Sequence, residues 1–240
     1  MNISPITDAM RKVLPLGYCG AVIVAAGNAS RMGGIDKVMA ELDGEPMIVR
    51  TVRAFQEAIA IKEIVIVTRQ DLIEPIPQLT VGFDKVRAVV CGGSSRQESV
   101  ELGLDALSGK CKLAAIQDGA RPLISQAVID RTVRAAHTYS AAAPAIPVKD
   151  TIKVVKGGIV DHTPDRASLR AIQTPQVFDF KLLRAALKKA RVEELAVTDD
   201  CSAVELMGMS VKIVEGDERN IKVTTPLDLA IAKLLLEEEK

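Results

Sequence analysis

The chain has 240 residues, of which 48% are hydrophobic, 26% charged and 2% aromatic, and its 31 Lys and Arg balance its 31 Asp and Glu. A chain of this length buries about 70–75% of its unfolded surface, so it needs no disulfide or metal staple, and its ordinary apolar fraction argues against disorder. Zero net charge, no Trp, two Tyr and four Phe argue against a general nucleic-acid binder, which needs a basic excess and stacking rings.

In chain order, AVIVAAG, ending at Gly27, is a short continuous apolar run and predicts a buried parallel strand. EPMIVRTVRAFQEA puts Ile48, Val52, Phe55 and Ile59 at helical spacing. Glu63–Thr68 and Val86–Gly93 predict a second and a third strand, the latter followed by a helix bearing Val100, Leu104 and Leu107. Leu113–Pro122 predicts a fourth strand and a tight turn. The next helix, QAVIDRTVRAAHTY, takes Ser125 as its N-cap. Ala141–Val148 returns to extended chain, with prolines that suit an edge or irregular strand. Around residues 149–170, two extended runs flank Gly157-Gly158 and predict a β-hairpin. Its apolar residues are too few for a second core, so it reads as an arm projecting from a single domain spanning 1–240, of the kind that packs on another subunit. A last helix starts near Pro226.

This alternation predicts an α/β fold: a doubly wound, mostly parallel sheet with right-handed crossovers. Ligands bind such sheets beyond the carboxyl ends of the strands. The loops after Ala26, Cys91 and Gln117 share that edge.

Apolar runs such as Ala21–Ala26 fall far short of the roughly 20 residues of a bilayer helix. The first segment is broken by Asp8, Arg11 and Lys12 and lacks the apolar core of a secretion signal. Cys19, Cys91, Cys111 and Cys201 form no C-x-x-C pair and read as reduced, mostly buried thiols. The expectation is a soluble, cytoplasmic protein without a membrane partner.

The strongest chemical signal is AAGNASRMGGIDK, Ala25–Lys37. A strand ends in a loop of small residues bracketed by Arg31 and Lys37. Backbone N–H groups in such a turn can converge on an anion, and the two cations would neutralise a polyphosphate. The alternative is a surface loop with two solvated cations. Neither the P-loop pattern nor the dinucleotide G-x-G-x-x-G pattern is present.

Strand-AAG-x-x-x-R-M-G followed by Lys resembles the sugar-nucleotide pyrophosphorylase and cytidylyltransferase superfamily. GGSSRQESV, QDGARP, VKDTIK, TPDRASLRAIQTPQVF, TDDCSAVE and EGDERNIKVTTPLDL follow in order. Together, from about Cys19 onward, they resemble the 2-C-methyl-D-erythritol 4-phosphate cytidylyltransferase family. The resemblance implies a Rossmann-like nucleotidyltransferase. In that reaction a phosphate oxygen of an alditol phosphate attacks the α-phosphorus of CTP, and pyrophosphate leaves. It implies Mg²⁺, held mainly by the CTP phosphates with Asp118 beside it, and a homodimer through the arm.

Residue by residue, the resemblance implies catalytic roles for Arg31 and Lys37. It implies nucleotide contacts at Ala25, Ala26, Gly27, Gly93, Ser99, Asp118, Gly119 and Lys222, and acceptor contacts at Arg121, Asp150, Thr151, Arg166 and Thr198. Without it, Ser99 reads as a capping or solvent hydroxyl, and Asp118 with Arg121 as a structural pair in a turn. Lys222 reads as a solvated amine, and Thr198-Asp199-Asp200 as a helix cap. His137 and His162 match no catalytic position.

The chain departs from the family pattern at Ile35-Asp36-Lys37-Val38-Met39, where many members carry Pro-Lys-Gln and an aromatic residue. Ser94-Ser95 stands where a more acidic pair is common. A ribitol 5-phosphate cytidylyltransferase and a nucleotide-binding regulator without turnover remain open alternatives. Arg31→Ala is predicted to slow turnover about 30- to 1,000-fold in steady-state kinetics, the roughly 2–4 kcal/mol expected of one donor facing a developing charge.

Overall fold

The run CGAVIV is apolar on both faces and ends in three consecutive β-branched residues, and it forms β1 (Cys19–Val24) inside the main sheet. The computed structural model describes residues 17–27 and 38–238; Arg31 and Lys37 lie outside the described residues. A small antiparallel pair, β2 (Glu41–Leu42) and β3 (Glu45–Pro46), leads into α1 (Met47–Glu57). β4 (Ile61–Thr68) then pairs in parallel with β1. After α2 (Pro75–Leu79), β5 (Val86–Cys91) pairs in parallel with β4 at the sheet edge. α3 (Arg96–Ala106) crosses back to β6 (Leu113–Asp118), parallel to β1 on its other side.

Strand periodicity sorts the core into two layers. Ala21, Ile23, Ile64 and Ile66 meet Ile48, Val52 and Phe55 of α1 and Val128, Ile129 and Val133 of α4 (Gln126–Tyr139). On the other face Val22, Val65 and Val67 meet Val100 and Leu104 of α3. Leu183 and Leu187 of α5 (Phe180–Val192) and Val204 of α6 (Asp200–Glu205) complete that layer. A third, smaller cluster joins Leu42, Met47, Ala120 and Val223 to Ala232 and Leu236 of α7 (Pro226–Glu237).

The second half of the sheet is mixed, and most of its strands carry no readable signal in the sequence. β11 (Gln176–Asp179) runs antiparallel between β6 and β7 (Ala141–Pro147). β10 (Arg170–Ile172) pairs with the far end of β7, and β12 (Lys212–Glu215) pairs with it in parallel along Ala142–Ala145. β7 is thus no edge strand. Pro144 is tolerated because it lies opposite the break between β10 and β11, where its carbonyl still accepts from Gln173 N at 2.8 Å.

One local expectation fails: Ile59 is 87% exposed because α1 stops at Glu57. Ser125 occupies the N-cap position of α4, as expected, but its side chain makes no capping bond. The hairpin is present as β8 (Val154–Lys156) and β9 (Ile159–His162), with Gly157 and Gly158 at φ +56° and +80°, the conformation a two-residue primed turn demands. Val155, Ile159 and Val160 on it are exposed. Among the described residues no helix is long and apolar enough to cross a membrane.

Gly103 sets how closely α3 lies on the sheet. A Cβ there would stand 2.3 Å from Val22 Cγ1 and 2.8 Å from Val67 Cγ2. Overpacking of about 1–3 kcal/mol should outweigh the ~1 kcal/mol helix gain of alanine. Gly103→Ala is therefore predicted to lower the urea midpoint with the slope unchanged.

Candidate active site

The carboxyl ends of β5, β4, β1 and β6 open on one cleft of about 610 Å³. Ala25, Ala26 and Gly27 leave β1 along one wall, and Thr68 to Asp71 leave β4. The loop from Cys91 to Arg96, with Ser99, leads from β5 into α3. Asp118 ends β6, Ala120 lies in the turn after it, and Lys222 reaches in from the segment before α7.

The β5–α3 loop is locked by its own side chains. Ser95 caps α3, its Oγ accepting from Glu98 N at 3.0 Å. Glu98 Oε2 in turn accepts from Ser94 N and Ser94 Oγ, each at 2.7 Å, and these bonds hold its carboxyl below the usual range. Ser99 is buried, donates to the Ser95 carbonyl at 2.8 Å and accepts from Gly93 N at 3.1 Å. It therefore shapes the loop as well as lining the cleft. A Cβ at Gly93 would stand 2.2 Å from Glu98 Cγ, so a larger residue there displaces the Glu98 side chain from Ser94.

Gly119 sits one layer behind the wall. Its N–H donates to Val24 O at 2.9 Å, and its carbonyl accepts from Thr51 Oγ1 at 3.0 Å.

Charge concentrates around Asp118. Lys222 Nζ lies 3.0 Å and Arg121 Nε 3.4 Å from its Oδ2, while Arg96 lies 3.9 Å from Oδ1. Burial alone would raise the Asp118 pKa, but the charges of Lys222, Arg96 and Arg121 outweigh it and hold the group below the usual range. Arg96 also reaches Asp200 Oδ2 at 2.7 Å. Asp200 is 1% exposed, and burial pushes its pKa up against the opposing pull of Arg96.

Several contacts hold Lys222 over the carboxylate. Val223 N donates to Ala120 O at 2.8 Å, Arg121 donates to Asn220 O at 2.6 Å, and Asn220 Nδ2 donates to Thr174 O at 2.9 Å. The Thr225–Asp228 capping box fixes the following helix.

The cleft thus gathers Ala25, Ala26, Gly27, Gly93, Ser99, Asp118 and Lys222. Arg121 stands behind Asp118, 8% exposed and bonded within the chain. Asp150, Thr151, Arg166 and Thr198 are exposed and do not line the cleft. Arg166 donates to Lys149 O at 2.9 Å. Asp199 caps α6 through a capping box with Ser202, as the plain reading of that acidic run expected.

Sequence reasoning missed Arg69 and Asp71, joined at 3.0 Å, and the bridging roles of Arg96 and Asp200. The first pair had a readable signal. VTRQD closes a parallel strand, and a strand lying between β5 and β1 must deliver its loop to the same cleft.

Cys19, Cys111 and Cys201 are buried, whereas Cys91 is exposed on the cleft wall. Burial, with the Glu63 carboxylate adding to it, pushes the Cys111 thiol up to about 12. Among the described residues no group of three or more His, Cys, Asp or Glu could hold a metal by itself.

Lys222→Met removes the cation nearest Asp118 and is predicted to raise the Asp118 pKa, read by carboxyl ¹³C NMR titration. The sign follows from linkage: a depressed carboxyl pKa stabilises the fold above the unfolded value and loses that contribution as pH falls through the folded one. The acid limb of the variant's stability curve should therefore begin at higher pH.

Comparison with known proteins agrees with this geometry. Residues 19–238 match the family model described as 2-C-methyl-D-erythritol 4-phosphate cytidylyltransferase, IspD. The chain is 44% identical over 221 residues to a protein of that name from Caldanaerobacter subterraneus subsp. tengcongensis, covering 90% of this chain and 97% of the relative. It is 45% identical over 219 residues to one from Geobacillus kaustophilus, covering 90% and 96%. Its fold is similar to the crystal structure of 4-diphosphocytidyl-2C-methyl-D-erythritol synthase from Anaerococcus prevotii, with a TM-score of 0.84 and 33% identity over 92% of this chain and 96% of that one.

Proposed function

We propose, since this chain belongs to the 2-C-methyl-D-erythritol 4-phosphate cytidylyltransferase family, that its cleft transfers the cytidylyl group of CTP to 2-C-methyl-D-erythritol 4-phosphate. The products are 4-diphosphocytidyl-2-C-methyl-D-erythritol and pyrophosphate, a step of non-mevalonate isoprenoid precursor synthesis. The observation that carries the reading is the cluster at the carboxyl edge of the sheet, where Arg96, Arg121 and Lys222 surround the single carboxylate of Asp118.

A phosphate oxygen of the acceptor attacks the α-phosphorus of CTP. One P–O bond forms, the bond to the β-phosphate bridge breaks, and pyrophosphate carries the charge away. Two anions must be brought together, so the chain's task is positioning and charge stabilisation. Lys222 is placed to donate to the triphosphate. Arg31 and Lys37 supply the further cations that the resemblance assigns. Ala25, Ala26 and Gly27 leave room for close approach of the nucleotide to the backbone. With no aromatic residue on the wall among the described residues, cytosine is selected by hydrogen bonds rather than by stacking.

The donor set fits a divalent ion bound mostly by the nucleotide. Mg²⁺ keeps several waters and takes one or two carboxylates plus phosphate oxygens, and Asp118 supplies one carboxylate whose Oδ1 accepts no hydrogen bond among the described residues. Bound beside Asp118, such an ion would offset the negative charge of the triphosphate.

The acceptor side calls for a second subunit. Asp150, Thr151 and Arg166 lie on or beside an exposed arm bearing Val155, Ile159 and Val160. A homodimer in which the arm reaches a partner's cleft would bring those contacts to the acceptor, with residues 1–240 acting as one nucleotidyltransferase domain.

The test is pyrophosphate release from purified protein. Release is expected only when CTP, Mg²⁺ and 2-C-methyl-D-erythritol 4-phosphate are all present. Faster turnover with ribitol 5-phosphate would reassign the acceptor. Tight CTP binding with no product from either acceptor would overturn the enzymatic reading.

A further inference from the structure

The two oxygens of Asp118 have unlike surroundings. Oδ2 faces Lys222 at 3.0 Å and Arg121 at 3.4 Å. The cation nearest Oδ1 is Arg96 at 3.9 Å, beyond hydrogen-bonding range. Arg96 does not close that gap because its Nη2 sits 2.7 Å from Asp200 Oδ2. Asp200 is itself fixed. It is the first residue of α6 and 1% exposed. Gln176 on β11 brackets it, donating to Asp199 at 2.7 Å and accepting from Cys201 N at 3.0 Å.

We infer that Asp200 is a positioning residue that holds Arg96 off Asp118 Oδ1, keeping that oxygen open for the divalent cation carried by the nucleotide triphosphate. The inference rests on the nucleotide reading above. A guanidinium freed from Asp200 needs to move only about 1 Å to reach hydrogen-bonding range of Oδ1. There it competes with the cation for the same lone pairs. Asp200 acts a second way too, since its charge offsets that of Arg96 beside the ion's position. Removing Asp200 leaves the charge of Arg96 uncompensated there and adds to the repulsion on the ion.

A merely structural Asp200 makes a different prediction, because loss of structure is not repaired by a second loss. The readout is the ratio of CTP affinities measured by titration calorimetry with Mg²⁺ and with a chelator. The wild-type chain is expected to bind CTP more tightly with Mg²⁺. Asp200→Asn should lose that gain by about 10- to 100-fold, the usual effect of disturbing a ligand's outer partner. The double variant Arg96→Gln/Asp200→Asn should recover it, and Arg96→Gln alone, which removes a cation beside the ion's position, should show a ratio no lower than wild type.

The inference is overturned if Asp200→Asn keeps the wild-type ratio, or if the double variant stays as low as the single one. Should Asp200→Asn fail to fold, a ratio below wild type in Arg96→Gln overturns it instead. Wild-type protein that binds no CTP under either condition removes the nucleotide reading and this inference together. A wild-type Mg²⁺ effect that Asp200→Asn leaves untouched removes the inference alone.

Discussion

A single buried carboxylate has to stay charged beside a site built for anions. Asp118 ends a strand that is buried along its whole length, where the charged form is costly. Three cations from three separate parts of the chain make that charge tenable: Arg96 from α3, Arg121 from the following turn and Lys222 from the segment before α7. The arrangement is reciprocal. The carboxylate also lets those cations sit close together without an anion bound. Asp200 extends the balance by one residue, pairing with Arg96 from behind.

Much of the remaining structure keeps those partners in place. The parallel half of the sheet delivers Asp118 and the β5–α3 loop to one edge. The mixed half brings two remote segments beside it: β11 positions Asp200 through Gln176, and the turn at Asn220 is tied to Thr174 and Arg121. The antiparallel strands are therefore more than an extension of the sheet. They connect the last third of the chain to the cleft, and two of the residues around Asp118 come from that third.

The parallel half was legible in sequence because its strands are continuous apolar runs ending in small or polar residues, and its helices carry regular apolar spacing. β10, β11 and β12 were not, because they are three or four residues long, too short to show a period. Ile59 misled for the same reason in reverse: it continues a helical spacing past the point where α1 ends. Ala25 to Gly27, Ser99, Asp118 and Lys222 were found from motifs that close on the cleft. Arg96 lies inside one of those motifs, but nothing local signals its partner 104 residues away at Asp200.

That long separation bears on what the site can tolerate. An arginine between two carboxylates has two places to go, and the fold decides between them by fixing one carboxylate more rigidly than the other. Asp200 is held by a helix start and by a strand-borne glutamine, in full burial. Asp118 lies at the cleft surface, where a ligand can compete for it. The preference of Arg96 for Asp200 is thus a property of tertiary packing, and it leaves the open side of Asp118 facing the position where incoming charge must be met.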